Sequence, residues 1–208
     1  MKKFEVTIID YGMGNIWSVA SALKYLDCKV IISADPKMIE TAEALILPGV
    51  GSFAKAMKSL KQLGLDEAIL ESALNRKVKL LGICLGMQLM GLESTEDGTT
   101  LGLKLIAGRV NNFTQAELGT LKTPHVGFNK VTTKSQSVLF NGIQSGEDFY
   151  FVHSYRMLPA NLTGLKSTCT YGIEFLAAYE KENLFATQFH PEKSQANGLR
   201  LLQNFITS

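Results

Sequence analysis

Residues 78–90 read VKLLGICLGMQLM. An apolar run of strand length, Val78–Ile83, breaks at Gly82-Ile83-Cys84-Leu85-Gly86, and a helical pattern over Leu85–Leu92 starts directly after the cysteine. A strand that runs straight into a helix across two glycines is half of a βα unit, the building block of a parallel sheet.

The residues around it repeat the theme. Upstream, β-like runs at Val6–Ile9, Val30–Ile32 and Leu45–Leu47 are separated by helical patterns. Ile16, Val19, Ala20 and Leu23 fall at i, i+3, i+4 and i+7, and a second helical region over Leu60–Leu74 is interrupted near Gly64. Alternation of this kind predicts an α/β fold, with a mostly parallel central sheet flanked by helices. From about residue 101 to 189 the β-like runs crowd together (Gly127–Thr133, Phe149–His153, Glu174–Tyr179, Leu184–Phe189) with little helical pattern between them. They predict β-rich insertions in the second half. A last helix over about Ala196–Ile206 sets Leu199, Leu202 and Phe205–Ile206 on one side. Neither a repeat nor a low-complexity linker divides the chain, so residues 1–208 read as a single domain.

Composition narrows the class. At 46% hydrophobic and 19% charged residues the chain has material for a large core. A net charge of +2, with no run of basic residues, does not point to nucleic acid. No apolar stretch approaches the ~20 residues of a membrane span. After Met1-Lys2-Lys3, the stretch FEVTIIDYG is broken by Glu5 and Asp10 and reads as a first strand rather than a leader. Three sparse cysteines, Cys28, Cys84 and Cys169, fit reduced thiols in a cytoplasmic protein; without a Cys/His cluster neither a metal nor a cofactor is expected.

Cys84 has two readings. Free cysteine is often a small buried hydrophobe. The spacing G-x-C-x-G, however, corresponds to the G-x-S-x-G nucleophile elbow, in which a strained strand-to-helix turn projects the nucleophile. There the following helix would favour thiolate, and the Leu85 N–H would be placed to bind an oxyanion. A thiolate nucleophile needs a base and the base an orienting group. His190, in QFHPEKSQ, follows the run Leu184–Phe189, and Glu192 lies two residues on. In extended chain, positions i and i+2 share a face, so imidazole and carboxylate can meet. The bland alternative is a strand-end histidine and an exposed loop glutamate. Of the other two histidines, His125 and His153, neither has a carboxylate two residues on. Gly12-Met13-Gly14 lacks the third glycine of a dinucleotide fingerprint, because position 17 is Trp17.

With GICLGMQ and FHPEKSQ together, the chain resembles class I glutamine amidotransferases. IIDYGMGNIWSV (8–19), LPGVGSF (47–53), PHVGFN (124–129) and YFVHSYR (150–156) are similar to the branch of that family that serves imidazole glycerol phosphate synthase, over about residues 5–206. The resemblance implies a Cys84–His190–Glu192 triad that hydrolyses L-glutamine to glutamate and ammonia. It implies backbone oxyanion donors at Val50 and Leu85, and glutamine contacts at Gly51, Gln88, Glu96, Ser154 and Tyr155. It implies a heterodimer with a (βα)8-barrel cyclase of histidine biosynthesis, met through Asn15, Pro124, His125, Phe128, Tyr150 and Lys193. Phe128 stands where the family usually carries tryptophan, and GRVNNF lacks the expected basic residue after Val110. Two alternatives stay open: a paralogue feeding ammonia to a surface-polysaccharide sugar enzyme, and a non-catalytic or redox-sensing binding subunit.

Overall fold

The computed structural model describes residues 3–208; Met1 and Lys2 lie outside the described residues. In chain order the strands are β1 (Glu5–Ile9), β2 (Lys29–Ser33), β3 (Ala44–Leu47), β4 (Lys79–Ile83), β5 (Glu93–Ser94), β6 (Thr100–Leu101), β7 (Gly108–Asn112), β8 (His125–Thr132), β9 (Glu147–His153), β10 (Tyr155–Pro159), β11 (Leu165–Tyr171), β12 (Ile173–Lys181) and β13 (Leu184–Thr187). The α-helices are α1 (Ile16–Tyr25), α2 (Pro36–Glu40), α3 (Phe53–Gln62), α4 (Leu65–Leu70), α5 (Leu85–Leu89), α6 (Gln115–Leu118) and α7 (Gln195–Thr207).

One nine-stranded sheet runs β2-β1-β3-β4-β13-β12-β11-β8-β9. Pairing is parallel from β2 through to β13 and antiparallel beyond it. The parallel half is the predicted α/β part, and the antiparallel half is the predicted β-rich part. A separate four-stranded sheet, β10-β7-β5-β6, adds a second layer.

The inner parallel strands are mostly apolar because both faces are covered, and β3, Ala44-Leu45-Ile46-Leu47, is wholly so. In β3, Ala44 and Ile46 pack into one core with α1 and α7, whereas Leu45 and Leu47 pack into the other with α3, α4 and α5. β4 divides the same way, Leu81 and Ile83 against Leu80. Alternate residues point to opposite faces, so a continuous apolar run supplies both layers at once.

Several element limits differ from the sequence reading, three of them around the elbow and the strands that flank it. The second helical region begins at Phe53, where the Ser52 hydroxyl caps the Lys55 N–H and Phe53, Ala56, Met57 and Leu60 form the buried stripe. It is interrupted at Gly64, which has φ +67. The helix after Cys84 stops at Leu89: the Gly91 N–H turns to the Gln88 carbonyl (2.8 Å) and the Leu92 N–H to the Gly108 carbonyl (2.8 Å). Finally, β13 ends at Thr187: the Gln188 N–H turns to the Ala177 carbonyl (2.8 Å) and the His190 N–H to the Tyr150 carbonyl (2.9 Å). Among the described residues no helix is long and apolar enough to cross a membrane.

Candidate active site

β4 and β13 are parallel neighbours, and their last paired residues are Ile83 and Thr187. Cys84 and His190 therefore emerge at the same edge of the sheet, beyond the carboxyl ends of the strands, where α/β folds place their ligands. Cys84 has φ 54 and ψ −108, a backbone conformation unfavourable for any residue with a side chain. The surroundings enforce it. A Cβ on Gly86 would lie 1.8 Å from the Leu47 carbonyl oxygen, and one on Gly82 would lie 2.8 Å from the Met87 nitrogen. Only glycine allows β3, β4 and α5 to approach so closely. The elbow expected from G-x-C-x-G is therefore present, and as the first N–H of α5, Leu85 has no acceptor within the helix.

His190 is 1% exposed, and its Nδ1 lies 2.8 Å from Glu192 Oε1. The pair sits at a proline-started 3-10 turn, Pro191–Lys193, fixed by the Ser194 hydroxyl, which donates to the His190 carbonyl (2.7 Å) and accepts from the Tyr150 N–H (2.9 Å). Burial opposes a charge on His190. The Cys84 and Glu192 side chains outweigh it and lift its pKa to about 10. His190 Nε2 is buried and makes no hydrogen bond of ordinary geometry. It is the atom left for reaction once Nδ1 is held by the carboxylate.

A cleft of about 470 Å³ opens over Cys84. Its walls include Val50, Gly51, Leu85, Gln88, Glu96, Pro124, Ser154 and Tyr155. Every glutamine contact expected from the sequence thus lines one cavity. Glu96 also holds the start of α3, accepting the Phe53 N–H at 2.8 Å. Gln88 is 5% exposed and donates to the Tyr155 carbonyl (2.9 Å) and to Gln188 Oε1 (3.0 Å). Among the described residues no three His, Cys, Asp or Glu side chains are placed to hold a metal ion.

The expected partner contacts divide. Phe128 is 46% exposed and packs edge-on against Tyr150, and the Lys193 ammonium lies 5.7 Å from the Tyr150 ring centre. Asn15 precedes α1 and accepts a hydrogen bond from the Ser18 hydroxyl (2.9 Å). His125 is corrected: its side chain is fully buried and cannot be a surface contact. In β8 the alternation puts His125 inward and Val126 and Phe128 outward, and Val126, 54% exposed, is the neighbour that the sequence reading passed over.

Other residues of the site were also missed. Gln188 donates to Cys84 Sγ at 3.6 Å, and the Tyr11 hydroxyl donates to the Pro48 carbonyl at 2.8 Å beneath the Gly49-Val50-Gly51 turn. Burial raises the Tyr11 pKa above the tyrosine range, so it stays a donor. The signal for Gln188 was a polar residue inside an apolar run next to His190.

The chain as a whole is similar to known proteins. The chain belongs to the class-I glutamine amidotransferase family, whose model matches residues 7–208. Among its relatives it is 45% identical to the imidazole glycerol phosphate synthase subunit HisH of Geobacter sulfurreducens, over 97% of both chains. It is 48% identical to that of Moorella thermoacetica, over 96% of this chain and 93% of the other. The solved structure of PurLQS from Thermotoga maritima superimposes with a TM-score of 0.75 over 99% of both chains at 15% identity, a likeness of fold alone.

Proposed function

We propose that this chain is the glutaminase subunit of an imidazole glycerol phosphate synthase, a single cytoplasmic domain that hydrolyses L-glutamine and passes the ammonia to a (βα)8-barrel cyclase. The observation that carries the reading is the His190–Glu192 pair at 2.8 Å beside a cysteine on a strained elbow. The relatives' names support the pathway and the partner.

The Cys84 thiolate attacks the side-chain carboxamide carbon of glutamine. The N–H groups of Leu85 and Val50 receive the oxyanion, and each such donor typically contributes about 10²–10³ in turnover. His190 gives its Nε2 proton to the departing nitrogen, and ammonia leaves a thioester on Cys84. Water then gives a proton to His190 and attacks the thioester, releasing glutamate and restoring the pair. Glu192 keeps the imidazole oriented and balances its charge. Glu96 faces the substrate ammonium, while Gln88, Gly51, Ser154 and Tyr155 fix the amino-acid end. Phe128, Tyr150, Lys193, Asn15 and Pro124 form the rim met by the cyclase.

The test is glutamate release, measured with the chain alone and with the cyclase and its nucleotide substrate. Cys84→Ala is expected to abolish release yet bind the cyclase normally. A wild-type complex that releases no glutamate overturns the reading. The glycines on either side of Val50 leave its peptide free to turn, so the proposal includes that its N–H faces inward only in the working complex; equal activity with and without the liganded cyclase overturns that part.

A further inference from the structure

Two histidines take no part in the triad, yet both are buried beside it. His125 and His153 are directly paired across β8 and β9, at 0% and 6% exposure. They lie in an aromatic box: the His125 ring stacks on Tyr171 (4.0 Å between centres) and on Phe151 (4.8 Å), and Phe113 and Phe175 lie against His153 (5.6 and 5.2 Å). Apolar side chains would fill such a box without the cost of burying polar nitrogens.

Their hydrogen bonds admit one arrangement. The Tyr155 carbonyl can only accept, so His153 Nδ1, 2.9 Å away, carries a hydrogen. In a neutral ring His153 Nε2 is then an acceptor, and His125 Nδ1 donates to it at 3.0 Å. His125 Nε2 is in turn an acceptor and receives the Asn129 side-chain amide at 2.6 Å. An additional proton on His153 would set two N–H groups against each other. Burial favours the same state, lowering the pKa of His125 to about 4 and that of His153 to about 3. His125, His190 and Arg156 oppose a charge on His153 further. The Tyr155 carbonyl also accepts from Gln88 Nε2 (2.9 Å), whose other hydrogen goes to Gln188 Oε1 (3.0 Å), and Gln188 Nε2 reaches Cys84 Sγ (3.6 Å). At the far end, Asn129 is next in sequence to the exposed Phe128.

We propose that His125 and His153 are positioning residues for Cys84: a buried chain of hydrogen bonds through the two neutral imidazoles holds the Tyr155 carbonyl, and with it the Gln88–Gln188 pair that touches the sulfur. The inference rests on the amidotransferase reading of the cleft. Its consequence is that β8, through Asn129, and the nucleophile share one polar network.

The test has two arms on the full-length chain. Nitrogen-15 NMR of the histidine-labelled wild type is expected to show both rings as Nδ1–H tautomers, unchanged between about pH 8 and pH 5, whereas a free imidazole titrates near ~6.5. An Nε2–H tautomer at either ring, or titration near that value, overturns the proposal whether or not any variant folds. In the second arm His153→Phe keeps a ring, while His153→Asn keeps a donor for the Tyr155 carbonyl. His153→Phe is expected to lower kcat for glutamine, in the cyclase complex, about 10–100-fold with KM changed less than about threefold, and to change the rate of Cys84 alkylation by iodoacetamide about fivefold or more. Restoration of most of the kcat by His153→Asn supports the chain. Wild-type kcat in His153→Phe, or equal loss in both variants, overturns it. The alkylation reads Cys84, the thiol that lines the cleft, whereas burial raises the pKa values of Cys28 and Cys169, neither of which lines it. A wild-type complex that hydrolyses no glutamine defeats the amidotransferase reading instead, and leaves the tautomer measurement to decide the network.

Discussion

The backbone N–H of Cys84 donates to the carbonyl of Thr187 at 2.7 Å, three residues ahead of His190. This bond bolts the elbow to the strand that delivers the proposed base. The distance between the proposed nucleophile and base is therefore a property of the sheet, and substitutions that disturb the β4–β13 contact are expected to act on the chemistry before they touch a reacting atom.

Gly86→Ala tests that rigidity. Its methyl would meet the Leu47 carbonyl at 1.8 Å, and backbone cannot yield as a flexible side chain can. Overpacking of this kind costs about 1–3 kcal/mol, to be read from urea unfolding. The loss of glutaminase turnover is expected to exceed the loss of folded protein, because the elbow itself must shift.

Glu192→Gln keeps the shape and removes the charge. Turnover is expected to fall about 10²–10⁴-fold, the range of a general acid–base contribution. The His190 pKa, about 10 with its present neighbours, is expected to drop when followed by NMR. An unchanged His190 titration would contradict the assignment of Glu192 as its partner.

Stability should decline on mild acidification. His125 and His153 have folded pKa values lowered to about 4 and about 3, against ~6.5 in an unfolded chain. Between these limits the unfolded chain binds protons that the folded chain refuses, so stability is fully present above about pH 6.5 and falls as pH drops. The slope approaches about 1.4 kcal/mol per pH unit for each histidine. His190, whose pKa is raised, adds an opposing slope above about pH 5.5 and none below it, so the decline is steepest between pH 6 and pH 5. Urea midpoints at pH 7, 6 and 5 measure this, and identical midpoints would refute it.

At the rim, Phe128→Ala removes a half-exposed ring packed on Tyr150. Binding of the cyclase, followed by calorimetry, is expected to weaken by about 1–2 kcal/mol, within the range of an aromatic interface anchor. Phe128→Trp is expected to tighten it, since indole adds area and a donor.

The local geometry of the proposed triad was legible because its parts are short-range in sequence. Two glycines around Cys84 encode the elbow, and Glu192 two residues beyond His190 encodes the ion pair. The parallel half was legible because apolar runs alternate with helical stripes. His125 was misplaced because type alone does not say which face of β8 a residue occupies; Val131, buried at the other end of the strand, fixes the phase. Gln188 and Tyr11 were missed because their partners, Cys84 and the Pro48 carbonyl, lie far away in sequence and only the fold brings them near. The small sheet carrying Tyr155 has two-residue strands, β5 and β6, too short to leave a periodic trace.

The position of β13 in the sheet bears on biosynthesis. β4 is made early and β13 about a hundred residues later, so during translation Leu80–Ile83 is an apolar parallel edge without its neighbour. Such edges invite pairing with other chains. Until Leu184–Thr187 emerges, the nascent chain therefore carries a thiol without its proposed base, so on that proposal it cannot waste glutamine and its main hazard is aggregation.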